Sequence, residues 1–155
     1  MQRYILPLAV AVLLAFAGPV SAADWHEQQQ IQQVRQVFHQ LEEAYEKEDV
    51  ELFLSCFTPC VTSVDVPRNT VDIYTETETR TELGMLFAML DGIKMDFLDL
   101  QIAVEGDAAT ATTVRRGAVT GLPTIYVKMV YTLRLNSAGA WIIDGDVILD
   151  EWMEM

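Results

Sequence analysis

Basic residues are scarce in this chain: ten Lys and Arg stand against 23 Asp and Glu, a formal charge of −13 over 155 residues. A surface of that sign repels phosphate backbones and anionic lipid, so neither nucleic acid nor a membrane surface is an expected partner. Acidity of this kind serves solubility. Histidine is almost missing as well. His26 and His39 are the only two, one near the start of a helical stretch and one on its polar side, so no His/Cys cluster offers a zinc site. There is no glycine-rich loop to cradle a nucleotide and no serine in a nucleophile elbow. Neither a metal nor an organic cofactor is expected.

Cysteine is limited to Cys56 and Cys60. Their spacing differs from the Cys-x-x-Cys of thiol oxidoreductases, which argues against redox catalysis. Cys-Phe-Thr-Pro-Cys either closes a small disulfide loop or leaves Cys56 as a small side chain filling core space. No apolar run reaches the roughly 20 residues of a membrane-spanning helix. The nearest approach is at the start. Arg3 supplies one positive charge, residues 4–16 are almost entirely apolar, Gly18-Pro19 interrupts them, and Val20-Ser21-Ala22 forms a small-residue cleavage site. That order is the order of a secretory signal peptide. Residues 1–22 are therefore expected to be removed, leaving 23–155 as one exported domain, secreted or periplasmic, without a membrane contact. Loss of Arg3 takes the charge to about −14, and the remaining length is ample for an enclosed core.

Asp24-Trp25-His26-Glu27 has the form of a helix start, and Ile31, Val34, Phe38, Leu41 and Tyr45 recur at helical spacing as one apolar stripe. Asp49 caps a short second helix carrying Leu52, Phe53 and Cys56, which Pro59 stops. The period then changes to two. Residues 61–66 and 71–75 read as paired strands around Pro67-Arg68-Asn69. Thr79-Arg80-Thr81-Glu82 has capping-box spacing and opens a third helix bearing Leu83, Leu86, Phe87 and Leu90. Four strands follow at 95–105, 108–120, 124–136 and 141–149, joined by short Gly-containing turns that suit antiparallel hairpins. The expected class is α+β, with three helices covering one face of a curved antiparallel sheet. Residues 124–136 alternate most strictly. Ile125, Val127, Met129, Tyr131, Leu133 and Leu135 share one face, and Tyr126, Lys128, Val130, Thr132 and Arg134 the other.

The first helix with its acidic turn Glu48-Asp49, the short helix, the paired strands, the third helix and a meander ending in Trp141-Ile142-Ile143 together resemble the nuclear transport factor 2-like superfamily, most of all its SnoaL-like branch. The matching segments are residues 37–57, with Ala44-Tyr-Glu-Lys-Glu-Asp-Val-Glu-Leu-Phe53; Val104-Glu-Gly-Asp-Ala-Ala109; and Tyr131-Thr-Leu-Arg-Leu135 with Gly139-Ala-Trp-Ile-Ile143. The resemblance spans nearly all of residues 23–155. It implies a cone, the cystatin-like roll, around an apolar cavity. Members include isomerases, dehydratases, polyketide cyclases and epoxide hydrolases, and also proteins without known catalysis. The implied cavity wall takes Phe38, Leu41 and Tyr45 from the first helix, Ser63 and Tyr74 from the strand pair, and Phe87 from the third helix. Ile125, Val127, Met129 and Leu133 of the long strand complete it. An ungapped comparison with ketosteroid isomerase places its general-base aspartate on Asp65 and its two oxyanion donors on Leu41 and Tyr131. Leu41 cannot donate a hydrogen bond, so that set is incomplete.

Asp65 shares a strand face with Val61 and Ser63. Aimed into a low-dielectric cavity it would resist ionisation and serve as general base. Tyr131 would then polarise a carbonyl oxygen, with Tyr74 or Ser63 as further donors. The alternative is that Asp65, at a strand end before Pro67, caps a turn. Asp99 is expected outside. Arg115-Arg116 puts one guanidinium on each side of its strand, where the inward one would bind an anionic ligand or pair with a cavity carboxylate. The acidic cluster Asp144-Gly145-Asp146 with Asp150 lacks the spacing of a calcium loop. Three functions follow as expectations. The first is binding of a small, largely apolar molecule. The second is a cofactor-free isomerase, dehydratase or cyclase working on a carbonyl-containing molecule through Asp65 and Tyr131. The third is a homodimeric module joined through the outer sheet face.

Overall fold

Helix α1 spans Ala22–Glu46 in the computed structural model, which describes residues 22–154. The expected leader lies outside the described residues except for Ala22. Because the chain is already helical there, Asp24 stands within the first described turn and not at a cap. Val34, Val37, Phe38, Leu41 and Ala44 are buried, the three-and-four spacing of a helix with one covered face. Ile31 and Tyr45 flank that stripe half-buried. Among the described residues no helix is long and apolar enough to cross a membrane.

Asp49 caps α2 (Val50–Ser55), its carboxylate accepting from the Leu52 amide at 3.0 Å. Strand β1 (Phe57–Asp65) begins almost at once, ahead of the expected residue 61. Strand β2 (Thr70–Thr75) likewise runs straight into α3 (Glu76–Met89). The capping box is therefore Thr75 with Glu78, one helical turn before Thr79 and Glu82. Thr75 Oγ1 accepts from the Glu78 amide at 3.3 Å, and Glu78 Oε2 from the Thr75 amide at 3.0 Å. Two such boxes stand end to end in the sequence, and the end of an extended strand supplies the non-helical backbone that a cap requires.

Strands β3 (Lys94–Glu105), β4 (Ala108–Ala118), β5 (Thr124–Leu135) and β6 (Trp141–Glu154) complete a curved, unclosed sheet in the order β2-β1-β6-β5-β4-β3. One pairing departs from the expected antiparallel pattern: β1 lies parallel to β6. No hairpin announces such a pairing in sequence, because it joins segments about eighty residues apart. The inner face of β5 buries Val127, Met129, Tyr131 and Leu133 as alternation requires, whereas Ile125 near the strand's start is 41% exposed. Phe38 meets Phe97 and Tyr131 edge-on, with ring centroids 5.1 and 5.3 Å apart. Glu42 Oε1 accepts from the Phe97 amide at 3.0 Å and ties α1 to β3. On the outer face Tyr126 stacks on Trp152. Asp99 is exposed at a bulge in β3, with φ of 52°. Cys56 and Cys60 are both free thiols, the first buried and the second exposed.

Candidate functional site

An irregularity between β5 and β6 decides which carboxylate faces the interior of the cone. Trp141 lies opposite Leu135 and Ile143 opposite Leu133, as in an ordinary antiparallel pair. Asp144 is then an extra residue: Gly145 lies opposite Thr132, and Asp146 opposite Tyr131. A bulge of this kind reverses the alternation beyond it. Counted by twos from Trp141, Asp146 belongs outside; the bulge turns it inward beside Tyr131. Gly145 makes the close strand approach possible. A Cβ there would meet Thr132 Oγ1 at 2.9 Å and the Thr62 carbonyl oxygen at 3.1 Å. Asp144 stays on the outside, accepting from Thr132 Oγ1 at 2.7 Å and from Arg134 Nε at 2.8 Å.

Between the helices and the inner sheet face lies a cavity of about 290 Å³. Leu41 and Tyr45 of α1, Phe53 of α2, Phe57 of β1, Phe97 of β3, Met129 of β5 and Ile148 of β6 form its apolar wall. Four polar side chains converge on it: Ser63, Arg115, Tyr131 and Asp146. Tyr74 and Glu82 line it from exposed positions and mark its mouth.

The polar groups differ sharply in their electrostatics. Asp146 accepts a 2.7 Å hydrogen bond from the Ser63 hydroxyl. Burial nevertheless holds its carboxyl above the ordinary carboxylate value, against the opposing pull of Ser63 and Arg115. Burial also pushes the phenols of Tyr131 and Tyr45 up, so both remain neutral donors. The Tyr131 hydroxyl donates to Met129 Sδ at 3.2 Å, and a thioether is a weak acceptor. The Arg115 charge acts on Tyr131, Tyr45 and Asp146. Yet among the described residues no carboxylate lies within ion-pair distance of it. A carboxylate reluctant to ionise can give or take a proton, and a phenol and a guanidinium can stabilise negative charge on an oxygen. Among the described residues no group of three His, Cys, Asp or Glu is arranged to hold a metal.

Asp65 does not join this set. It is buried on the same face as Val61 and Ser63, but its carboxylate serves the β1–β2 turn. Oδ1 accepts from the Arg68 amide at 2.8 Å and Oδ2 from Arg68 Nη1 at 2.6 Å. That amide bond, with the guanidinium behind it, holds its pKa below the usual range. Asp65 lines a separate recess with Pro67, Arg68, Asp150 and Glu151, which shares only Ile148 with the cavity. The turn-capping alternative describes it, and a carboxylate so firmly ionised is a poor base.

Leu41, Tyr45, Ser63, Tyr74, Met129 and Tyr131 line the cavity as expected. Phe38 and Leu133 belong instead to the core beneath it, as does Val127. Phe87 supports Tyr45 edge-on at 5.8 Å without reaching the cavity, and Ile125 lies outside. Arg115 is the inward member of its pair; Arg116 points away and donates to Asp96 from Nε at 2.9 Å. Phe53, Phe57, Phe97, Glu82, Asp146 and Ile148 were not anticipated in the wall. For the aromatics the signal was present, since each lies in an apolar stretch facing the core. For Asp146 it pointed the wrong way. A wider depression of about 630 Å³ crosses the outer face of β3, β4 and β5, but Arg134 and Asp144 within it already satisfy one another.

No protein-family model and no curated protein sequence matches the chain. Solved structures do. A protein of the NTF2-like family from Streptomyces avermitilis, provisionally named a dehydratase, superposes with a TM-score of 0.65 at 19% identity over 79% of this chain and 96% of its own. A protein of unknown function with a cystatin-like fold from Nostoc punctiforme gives 0.58 at 16% identity, over 83% and 91%. A protein from Novosphingobium aromaticivorans, provisionally named an aromatic ring hydroxylase, gives 0.60 at 14% identity, over 78% and 90%. At such identities the likeness is one of architecture, and function must be argued from the site itself. Three helices, a curved six-stranded sheet and the cavity between them make this an NTF2-like, cystatin-like fold.

Proposed function

We propose that this chain is an exported binding protein whose cone cavity holds one small, largely apolar molecule by a polar end. The observation that carries the reading is the make-up of the cavity: an aromatic and aliphatic wall with four polar side chains converging at one region. Ligand sites are built this way, mostly apolar with a few convergent polar groups that fix orientation. About 290 Å³ sits at the small end of such sites, which favours a compact molecule over a steroid-sized one. Native mass spectrometry of the protein taken from its own compartment tests this. A retained small molecule released on unfolding is the expected result. An empty protein whose melting temperature no small aromatic or carbonyl compound raises would overturn it.

A second reading, cofactor-free acid–base catalysis, is favoured by one observation: Asp146, its pKa raised by burial, faces the same cavity as Tyr131 and Arg115. In that reading ionised Asp146 takes a proton from the carbon beside a carbonyl. Tyr131 and Arg115 stabilise the enolate oxygen. The proton then returns at another carbon, giving an isomer, or reaches a departing hydroxyl, giving an alkene and water. The provisional name of the Streptomyces avermitilis protein belongs to the same reaction class. Asp146→Asn is expected to lower turnover by roughly 10²- to 10⁴-fold while ligand binding persists. Unchanged turnover in that variant would remove Asp146 from the chemistry.

A further inference from the structure

We propose that the molecule held in the cavity bears a carboxylate and that Arg115 is the residue that receives it. The inference rests on the cavity-binding reading and adds the charge of the ligand to it. A guanidinium remains charged at every physiological pH, and enclosing it without a counter-ion is costly. Four of the other five described arginines follow that rule, half-buried Arg35 on α1 being the exception. Arg68 pairs with Asp65 and Glu151, Arg80 with Glu51 and Glu76, Arg116 with Asp96, and Arg134 with Asp144. Those four are surface groups, where a missing partner would cost little. Arg115 is enclosed in the cone, where one would cost most; among the described residues it has no contact ion pair, and only the longer-range field of Asp146 opposes its charge. Nor is its head sealed away. Arg115 lines the cavity with the Tyr131 hydroxyl as its hydrogen-bonding neighbour.

The surroundings select among anions. Asp146 shares the cavity and Glu82 stands at its mouth, so a phosphate dianion would meet two carboxylates. A monoanionic carboxylate meets the guanidinium fork oxygen to N–H, two to two. The Tyr131 hydroxyl, now given to a thioether, gains a stronger acceptor in the same place. Phe53, Phe57 and Phe97 then face the apolar remainder of the ligand.

The test is a fluorine NMR titration of the full protein with 4-fluorobenzoate and with 4-fluorobenzamide, which match in shape and differ in charge. The benzoate is expected to bind at least roughly tenfold more tightly, the effect of one charge-assisted contact in an enclosed site. Arg115→Gln is expected to erase that preference while the benzamide still binds. Arg115→Lys, which keeps the charge if the glutamine variant does not fold, should retain a reduced preference. Arg116→Gln should leave it intact. Equal binding of the two probes to the unaltered protein would refute the carboxylate and leave the cavity-binding reading standing. A preference that survives in Arg115→Gln would refute Arg115 as the receiver. Binding of neither probe would refute the proposal, with the retained-ligand measurement deciding separately whether the cavity binds anything.

Discussion

Ser63 on β1 gives its hydroxyl to Asp146 on β6 across 2.7 Å, joining two residues 83 positions apart in the chain. The contact exists because β1 and β6 run parallel with Ser63 and Asp146 in register. It is the main stabilising contact of the carboxylate inside the cavity, Glu82 standing only at the mouth, and it acts against the burial that raises that carboxyl's pKa.

Ser63→Ala removes this donor. The Asp146 pKa is expected to rise further, because burial would act with less opposition. The loss of a hydrogen bond to a charged group in a half-buried setting is expected to cost about 1–3 kcal/mol of stability at neutral pH. Carboxyl-carbon NMR titration reads the first effect and urea denaturation the second. A downward shift would show that Ser63 does not stabilise the ionised form.

Asp146 and Asp65 tilt the pH dependence of stability in opposite directions. The Asp146 pKa is raised on folding from an ordinary value near 3.8, so the folded chain holds that proton more tightly than the unfolded one. Its contribution is present below the ordinary value and is lost as pH rises through the folded value. Asp65 is lowered. Its contribution is present above the ordinary value and is lost as pH falls through the folded one. At pH 7, Asp146→Asn is therefore expected to stabilise the fold and Asp65→Asn to destabilise it, measured by denaturant midpoints at pH 4 and pH 7. Stabilisation by an apparent loss of function is a common mark of a functional site. The opposite pair of signs would contradict the assigned environments.

Gly145→Ala places a methyl group 2.9 Å from Thr132 Oγ1 and 3.1 Å from the Thr62 carbonyl oxygen. The Thr62 contact is with backbone and cannot turn aside. Overpacking of this order costs about 1–3 kcal/mol. Because the same residue permits the bulge, the substitution is also expected to weaken any ligand affinity that depends on Asp146. Thermal unfolding and a probe titration on the same sample measure both. An unaltered melting temperature would mean the three strands part without cost.

The two thiols are expected to react very unequally. Cys60 is exposed, whereas Cys56 is buried beside the Val37 carbonyl and its pKa is pushed up to about 11 by burial. An aromatic disulfide reagent at pH 8 should label one equivalent rapidly, at Cys60, and a second only on unfolding. Two rapid equivalents would contradict the burial of Cys56, and none would reveal a disulfide between them.

The helices and the long strand of this fold were legible because their signal is periodic. The stripe through Val34, Phe38 and Leu41, the cap at Asp49 and the inner face through Met129, Tyr131 and Leu133 each follow from spacing alone. Element starts were less legible at Phe57 and Glu76, where strand and helix abut without a loop. The cavity wall was legible in part. Its helix residues Leu41 and Tyr45 and its strand residues Met129 and Tyr131 could be read, because both periods point them inward.

The order of secondary elements, the amphipathic faces and the inward turn of one arginine from the Arg115-Arg116 pair were determined by sequence, since alternation and helical period are local properties of the chain. The choice of carboxylate was left to the tertiary structure. Asp65 stands on the predicted face, yet Arg68 reaches back over the turn and holds it ionised away from the cavity. Asp146 stands on the wrong face by count, yet one extra residue at Asp144 and the space left by Gly145 rotate it inward to meet Ser63 and Tyr131. A bulge is set by how three strands crowd together around a missing Cβ, and no two-residue period records that.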